Sequence, residues 1–209
     1  MDLVLTLCVL PSCCSSDAKF RKMLDYAVDS DCHEIGIIGF NPHTGDPMSV
    51  GVTSFVPSNK VETFKGYRQF EVVGEPYLEP SGAFHLATVD ITDTREEIMT
   101  TEQQSQAKAF HESIPQLVER WIALVIEHKT STMDAIEELL SELGPMPSSM
   151  RERCHWVGSL VNPMPSLKVC IEVRPALLSC KSDFERTILA TTALQSSIDH
   201  LTGESKLQF

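Results

Sequence analysis

The sequence predicts an α+β protein in which a strand-rich first part, residues 1–98, precedes a helical bundle, residues 99–209. Up to about residue 98, short β-type runs are separated by Gly, Pro, Asn and Asp. Beyond it, apolar residues recur with the 3.6-residue period of helices. Strands and helices do not alternate, which argues against a parallel βαβ sheet. The 209 residues suit one large domain or two small ones.

The first part is predicted to be a series of short strands interrupted by one helix. The helix is indicated by Phe20, Met23 and Ala27, which share one helical face, with Asp17 as its N-cap. Residues 41–47 read as a loop, because Pro fixes φ and Gly permits a positive one. Strands are predicted at 3–10, 34–40, 49–56, 61–65, 70–73 and 84–91.

The second part begins with an apolar stripe from Ala107 to Val125, which predicts a long amphipathic helix. Pro115 lies inside this stripe and lacks a backbone donor. We therefore expect either a kink there or a helix that restarts with Ser113 as its cap.

Three more helices are predicted from their boundary residues. One spans 132–143 and stops at Gly144-Pro145, and Ser148 caps the next, which breaks at 162–165. A short segment follows at 167–173. The last helix opens with a capping box formed by Ser182 and Glu185 and ends at 202–203.

The charge balance is strongly acidic and bears on the class of partner. Seventeen Lys and Arg stand against 29 Asp and Glu, a net charge of −12. A protein that binds the phosphate backbone needs clustered basic residues, and the chain has no such cluster. Nucleic acid is therefore not an expected partner.

Cysteine spacing points to neither a disulfide framework nor a zinc site. No C-x-x-C pair occurs, and Cys154-His155 has no second ligand pair at zinc-finger spacing. We interpret the odd, scattered set as reduced structural thiols. The seven cysteines are at positions 8, 13, 14, 32, 154, 170 and 180.

The amino-terminal apolar run, residues 3–10, is interpreted as a strand. It faintly resembles a signal-peptide core, but Asp2 stands where a positive flank is expected, and the run is too short to span a bilayer. We therefore expect no membrane partner and a cytoplasmic protein, with an organelle as the alternative.

The standard catalytic and cofactor motifs are absent from the sequence. There is no Walker loop, dinucleotide fingerprint, nucleophile elbow or H-E-x-x-H pair. Gly36 and Gly39 are interpreted as strand-packing glycines, and Trp121 and Trp156 as core residues. We identify no catalytic, cofactor-binding or metal-binding residue and expect no cofactor and no enzymatic activity.

Eight short segments occur in an order that resembles a known family. They are KFRKML (19–24), IGII (35–38), PHTG (42–45), VGV (50–52), KGYRQFEV (65–72), PY (76–77), WVGSL (156–160) and DFER (183–186). Together they resemble the N-terminal, substrate-binding domain of the Lon proteases over about residues 17–201. The chain departs from that family at its start, where the first hairpin is shortened or replaced. This departure leaves closure of the barrel in question and an exposed edge strand as one outcome.

The resemblance implies a PUA-like β pseudo-barrel with one inserted helix, followed by the helical bundle, the two together forming one Lon N-terminal domain. It also implies a non-catalytic module that binds unfolded or exposed polypeptide, linked to protein quality control, with protease or ubiquitin-pathway proteins as further partners. We expect binding in an apolar groove between the two parts, whose residues the sequence does not identify. Arg68, in the best motif, is expected to satisfy a barrel-internal carboxylate or carbonyl rather than a ligand.

Three alternatives remain open at this stage, as does the oligomeric state. One is a nucleic-acid module, because PUA-like barrels in other families hold RNA. Another is a small enzyme whose site is not recognisable, for which His43 and His85 are the first residues to substitute. The last is a scaffold that delivers clients to a separate protease.

Overall fold

The computed structural model describes residues 3–9, 18–30, 33–41, 44–56, 66–92, 99–128, 133–161 and 173–204. The chain divides into two compact units, Met1–Glu96 and Glu97–Phe209. Among the described residues the first unit holds five strands and a helix and the second holds helices, so the predicted α+β class is confirmed. The predicted boundary after residue 98 falls at the end of a segment, 93–98, that lies outside the described residues.

In its described residues the barrel unit, Met1–Glu96, contains five strands, with one helix inserted after the first. Its elements are β1 (Leu3–Val9), α1 (Ala18–Asp29), β2 (Glu34–Phe40), β3 (Pro47–Phe55), β4 (Gly66–Leu78) and β5 (His85–Ile91). The helical unit, Glu97–Phe209, contains α2 (Thr101–Glu127), α3 (Met133–Leu143), α4 (Met150–Val161), α5 (Arg174–Ser179) and α6 (Asp183–Leu201).

The five strands close into a barrel in chain order. β1 pairs in parallel with β2, and it pairs antiparallel with β5, which joins the two ends of the sheet. The remaining neighbours are antiparallel. The sequence left open whether the shortened amino terminus exposes an edge, and among the described strands β1 has a partner on each side.

Side-chain alternation separates two apolar layers in the barrel unit. The inner layer fills the barrel and consists of Leu5, Leu7, Ile38, Phe70, Ala87 and Val89. The outer layer packs α1 against the outside of the sheet and includes Phe20, Met23, Ala27, Ile35, Val56, Phe84 and Leu86. The helix face predicted from Phe20, Met23 and Ala27 is therefore the buried face.

Gly36 is a packing residue, as predicted from its position within an apolar strand. A Cβ atom there would lie 2.9 Å from a Leu7 methyl carbon and 3.0 Å from the Phe70 ring. The missing side chain therefore makes room for the inner layer of the barrel.

The helical unit has one continuous core to which α2, α4 and α6 contribute most of the buried residues. Trp121 and Trp156 both belong to it, which confirms their prediction as core residues. Each indole N–H is satisfied: that of Trp121 donates to Ser197 Oγ at 2.8 Å, and that of Trp156 to the Gly144 carbonyl at 3.1 Å. Burial of the rings therefore leaves no unpaired indole donor.

Helix α2 runs without a break through Pro115. Proline has no N–H, so the carbonyl of His111, four residues earlier, loses its helical donor. Arg153 of α4 replaces that donor, because its Nη1 donates to the His111 carbonyl at 3.2 Å. Its Nε donates to the Pro147 carbonyl at 2.8 Å. The predicted restart at Ser113 is therefore wrong, and a kink stays a prediction.

The end of α3 and the start of α6 lie where the sequence predicts them, whereas the start of α4 is displaced by one residue. Gly144 follows α3 with a φ of 73°, as the predicted stop requires. Helix α4 begins one residue later than predicted, so its capping hydroxyl belongs to Ser149, which accepts from the Glu152 N–H at 3.5 Å, and not to Ser148. Ser182 caps α6 as predicted, accepting from the Glu185 N–H at 3.1 Å. The Glu185 carboxylate accepts from the N–H of Lys181 at 2.9 Å, one residue before the cap.

Several sequence predictions lie outside the described residues. They are the Asp17 cap, the strand at 61–65, the break at 162–165 and all but the last residue of the segment at 167–173.

Candidate functional site

Exposed apolar side chains are concentrated in the barrel unit. Large side chains there are open to solvent on α1, β2, β3 and β4, whereas the described helical unit exposes only Phe110 and Met133 among such residues. The six in the barrel unit are Tyr26, Phe40, Phe55, Val73, Tyr77 and Leu78. Three of the six fall within one stretch of β4, which makes this stretch the candidate binding surface.

We name residues 72–78 the β4 arm, because β4 continues there past the end of its pairing with β3. The β3–β4 ladder ends at the Val50–Glu71 pair, while β4 pairs with β5 as far as Leu78 and His85. Among the described residues, no strand pairs with the other side of the β4 arm. That side is therefore a sheet edge, although the barrel itself is closed.

A bulge bends the β4 arm in the middle. The β4–β5 register shifts between Val73 and Tyr77, and Gly74 in this interval has a φ of 76°. Pro76 lies in the same interval and cannot donate a ladder hydrogen bond, which restricts proline to edges and bulges. In the sequence, a Gly and a Pro two residues apart are typical of a turn. This explains why the sequence predicts a strand that ends at residue 73.

The arm presents apolar side chains on its outer face. Tyr77 pairs with Leu86, which faces the layer beneath α1, so Tyr77 lies on that same outer face. Val73 and Tyr77 are 52% and 50% exposed, and Leu78, whose partner His85 lies on the opposite face of the sheet from Leu86, is 55% exposed. On α1, the Tyr26 ring is also exposed and lies against Phe84, with the ring centroids 5.3 Å apart. The outer face of this hairpin is therefore bordered by accessible aromatic rings.

Carboxylates accompany these apolar residues. Glu75 is exposed within the bulge, and Glu71 and Asp90 are directly paired across β4 and β5. The barrel unit as a whole carries seven Lys and Arg against fourteen Asp and Glu. The surface around the β4 arm is thus apolar and acidic.

Arg68 plays the structural role predicted for it. Its Nη2 donates to Glu34 Oε1 at 2.7 Å, and the Glu34 side chain is buried in the barrel unit. Arg68 therefore compensates a carboxylate that would otherwise be costly to enclose.

In the ranges that the structure describes, no group of three or more His, Cys, Asp or Glu side chains is placed to hold a metal ion. His85 is exposed at the start of β5, and His43 lies outside the described residues.

The helices of the described chain include none with the length and apolar character needed to cross a bilayer.

Cys154 and Cys180 of the helical unit have raised thiol pKa values, which keeps them protonated. Burial raises the pKa of Cys154 to about 11, against a smaller opposing effect of its hydrogen bond with Thr187. Burial also raises the pKa of Cys180, whose Sγ donates to the Ala176 carbonyl at 3.3 Å. Thiols of this kind are poor nucleophiles, which agrees with their interpretation as structural residues.

His155 on α4 is expected to make the helical unit sensitive to mild acid. Burial, and then the positive charges of Arg186 and Arg151, lower its pKa to about 4, against an opposing effect of Asp183. The unfolded chain therefore takes up a proton near pH 6.5 that the folded chain takes up only near pH 4, so stability falls as the pH drops through this window. The loss between pH 7 and pH 5 is about 1–2 kcal/mol.

The measurement is urea unfolding followed by tryptophan fluorescence, since both tryptophans lie in the helical unit. His155→Gln should flatten the dependence of stability on pH between 7 and 5, whereas His85→Gln, at an exposed position, should keep it. Equal slopes in wild type and His155→Gln would contradict the assignment.

The chain was compared with known proteins at the level of families, sequences and structures. No protein-family model matches it, and no curated protein is significantly similar in sequence. Among solved structures it is similar to the N-terminal domain of the Lon protease of the Mycobacterium avium complex, with a TM-score of 0.53 and 15% sequence identity. The match covers 92% of this chain and 98% of that chain. The fold is therefore like that of a Lon N-terminal domain, as the motifs predicted.

Proposed function

We propose that the chain is a non-catalytic module that binds exposed segments of other polypeptides, and that it serves protein quality control or proteolysis in this way. The observation that carries the proposal is the concentration of exposed apolar side chains on the barrel unit. The similarity to a solved Lon N-terminal domain supports it, because the motif resemblance implies substrate binding for that fold.

The physical basis is the burial of apolar surface. Folded proteins keep their apolar residues inside and offer little to such a surface, whereas unfolded segments expose them. Each square ångström of apolar surface removed from water contributes about 25 cal/mol. Six exposed apolar side chains on one unit can therefore favour unfolded polypeptide without reading a particular sequence.

The test compares binding of one protein in its unfolded and folded forms. Fluorescently labelled α-lactalbumin, either native or reduced and carbamidomethylated so that no charge is added, is titrated with the full chain, and binding is followed by anisotropy. We expect the unfolded form to bind at least about tenfold more tightly, a difference of about 1.4 kcal/mol. Equal affinity for the two forms, or no binding of either, would contradict the proposal.

A single-stranded RNA titrated at low salt serves as the control for the nucleic-acid alternative. Because the barrel unit has twice as many acidic as basic residues, we expect little binding even without screening salt. RNA binding tighter than that of the unfolded protein would favour the alternative.

The binding groove that the sequence analysis predicts between the two parts stays a prediction. The proposal above depends only on side chains within the barrel unit.

A further inference from the structure

We propose that the β4 arm, residues 72–78, receives an extended polypeptide segment that carries both apolar and basic side chains. The inference rests on the proposed function and adds to it the surface and the chemical class of the bound segment.

The edge geometry of the arm favours an extended polypeptide as the occupant. β4 extends seven residues beyond Glu71, and on the side away from β5 no strand in the described part of the chain pairs with it. Backbone N–H and C=O groups on an edge accept pairing with another strand, and alternating side chains then add specificity. A strand laid along this edge also brings its side chains against Tyr77 and Leu78, each about half exposed.

The charges of the surface favour a basic segment. Glu75 projects its charge from an exposed position in the bulge. The barrel unit as a whole carries fourteen Asp and Glu against seven Lys and Arg, so a cationic segment is attracted to it. Complementary charge also speeds association and excludes acidic competitors.

A second copy of this chain is disfavoured as the occupant by the same observations. Pairing two β4 arms would bring Glu71 and Glu75 of one copy near those of the other. The bulge at Gly74 and the missing N–H of Pro76 also interrupt the flat, continuous edge that edge-to-edge association requires. A short segment of opposite charge can still pair on either side of Pro76.

The experiment uses three labelled heptapeptides and the full chain. The first peptide, Lys-Leu-Thr-Val-Lys-Leu-Thr, alternates apolar and polar residues, and the second has Glu in place of both Lys. The third is the first with N-methyl groups on alternate amides, which removes strand hydrogen bonds and keeps the side chains. We expect the Lys peptide to bind about tenfold more tightly than either of the others.

Two variants test the surface, each with a matched control. Tyr77→Ser combined with Leu78→Ser should weaken binding of the Lys peptide about tenfold, whereas Phe110→Ser, an exposed aromatic on α2 of the helical unit, should not. Glu75→Lys should weaken the Lys peptide and strengthen the Glu peptide, whereas Glu138→Lys on exposed α3 should change neither. Far-UV circular dichroism checks that each variant is folded.

The outcomes separate this inference from the proposed function. If the β4 variants bind the Lys peptide and the unfolded lactalbumin as wild type does, the inference falls and the proposed function stands. If wild type binds no unfolded protein, the proposed function itself falls. A preference for the Glu peptide, indifference to N-methylation, or a concentration-dependent dimer abolished by Tyr77→Ser would each overturn the assignment of a basic, extended partner.

Discussion

Replacing Arg186 by Met is expected to lower the free energy of unfolding of the helical unit by about 3–5 kcal/mol. Arg186 is 2% exposed, and its guanidinium donates hydrogen bonds within the helical unit. Nη1 donates to Asp183 Oδ1 at 2.6 Å, Nη2 to the Cys180 carbonyl at 2.8 Å and Nε to the Leu177 carbonyl at 3.3 Å. It therefore ties the carboxyl end of α5 to the start of α6.

The large effect follows from the buried polar groups that the Arg186→Met substitution leaves without their charged donor. Methionine fills a similar volume, so the loss is electrostatic rather than a cavity. The Leu177 and Cys180 carbonyls lose a charged donor, and Asp183 loses the closer of its two arginines, since Arg151 Nε lies 3.1 Å from the same oxygen. A polar group left without its partner in a buried position costs more than the net value of the bond.

Urea unfolding followed by tryptophan fluorescence measures this loss, because Trp121 and Trp156 report on the helical unit alone. Arg120→Met, at an exposed position of α2, is the matched control and should stay within about 0.5 kcal/mol of wild type. An Arg186→Met protein as stable as Arg120→Met would show that the network contributes nothing to stability.

Replacing Gly51 by Ala is expected to destabilise the barrel unit by about 3 kcal/mol. A Cβ atom there would lie 2.4 Å from the Ile37 carbonyl oxygen and 2.7 Å from both an Ile38 methyl carbon and the Phe70 ring. Gly51 pairs with Ile38 on one side and Phe70 on the other, so two strands would have to move apart. The backbone oxygen cannot rotate away as a side chain can.

Gly66→Ala provides the control within the same sheet. Its Cβ would lie 3.5 Å from the nearest Val52 carbon, an ordinary van der Waals contact, so a change of less than about 1 kcal/mol is expected. Hydrogen exchange of peptides from β2, β3 and β4 measures the effect on the barrel unit. Equal protection in the two alanine variants would contradict the packing argument for Gly51.

Much of the fold could be predicted because local sequence decides where elements begin and end. Ser182 and Glu185 bracket the start of α6, and the hydroxyl of Ser182 makes the bond that the capping motif predicts. Gly144 ends α3 because a positive φ is accessible to glycine. Phe20, Met23 and Ala27 form the buried face of α1, as their spacing indicates.

Two features of the fold were beyond local reasoning because their cause lies far along the chain. Helix α2 passes Pro115 because Arg153 supplies a donor to the His111 carbonyl. β4 passes Gly74 and Pro76 because Tyr77 and Leu78 regain pairing with β5. In each case a residue that ends an element locally is tolerated, since a distant partner satisfies the backbone.

The exposure of the candidate site was also beyond what local sequence can predict. The segment Pro76-Tyr77 stood out in the sequence only as part of a family motif, with nothing to show that Tyr77 is exposed. The composition of this stretch did indicate an edge. Three large apolar residues stand beside Gly74, Glu75 and Pro76, and this composition is unfavourable in a central strand and usual at a sheet edge.

The sequence by itself determined the α+β class, the position of most strands and helices, the Ser182 cap of α6 and the acidic character of the chain. These properties depend on residues within one or two turns of each other, or on composition alone. Only the tertiary structure decided that β1 closes the barrel, that α2 continues through Pro115 and that Val73, Tyr77 and Leu78 of the β4 arm are about half exposed. Pairing and exposure are decided by what packs beside a residue, and that neighbour comes from a distant part of the chain.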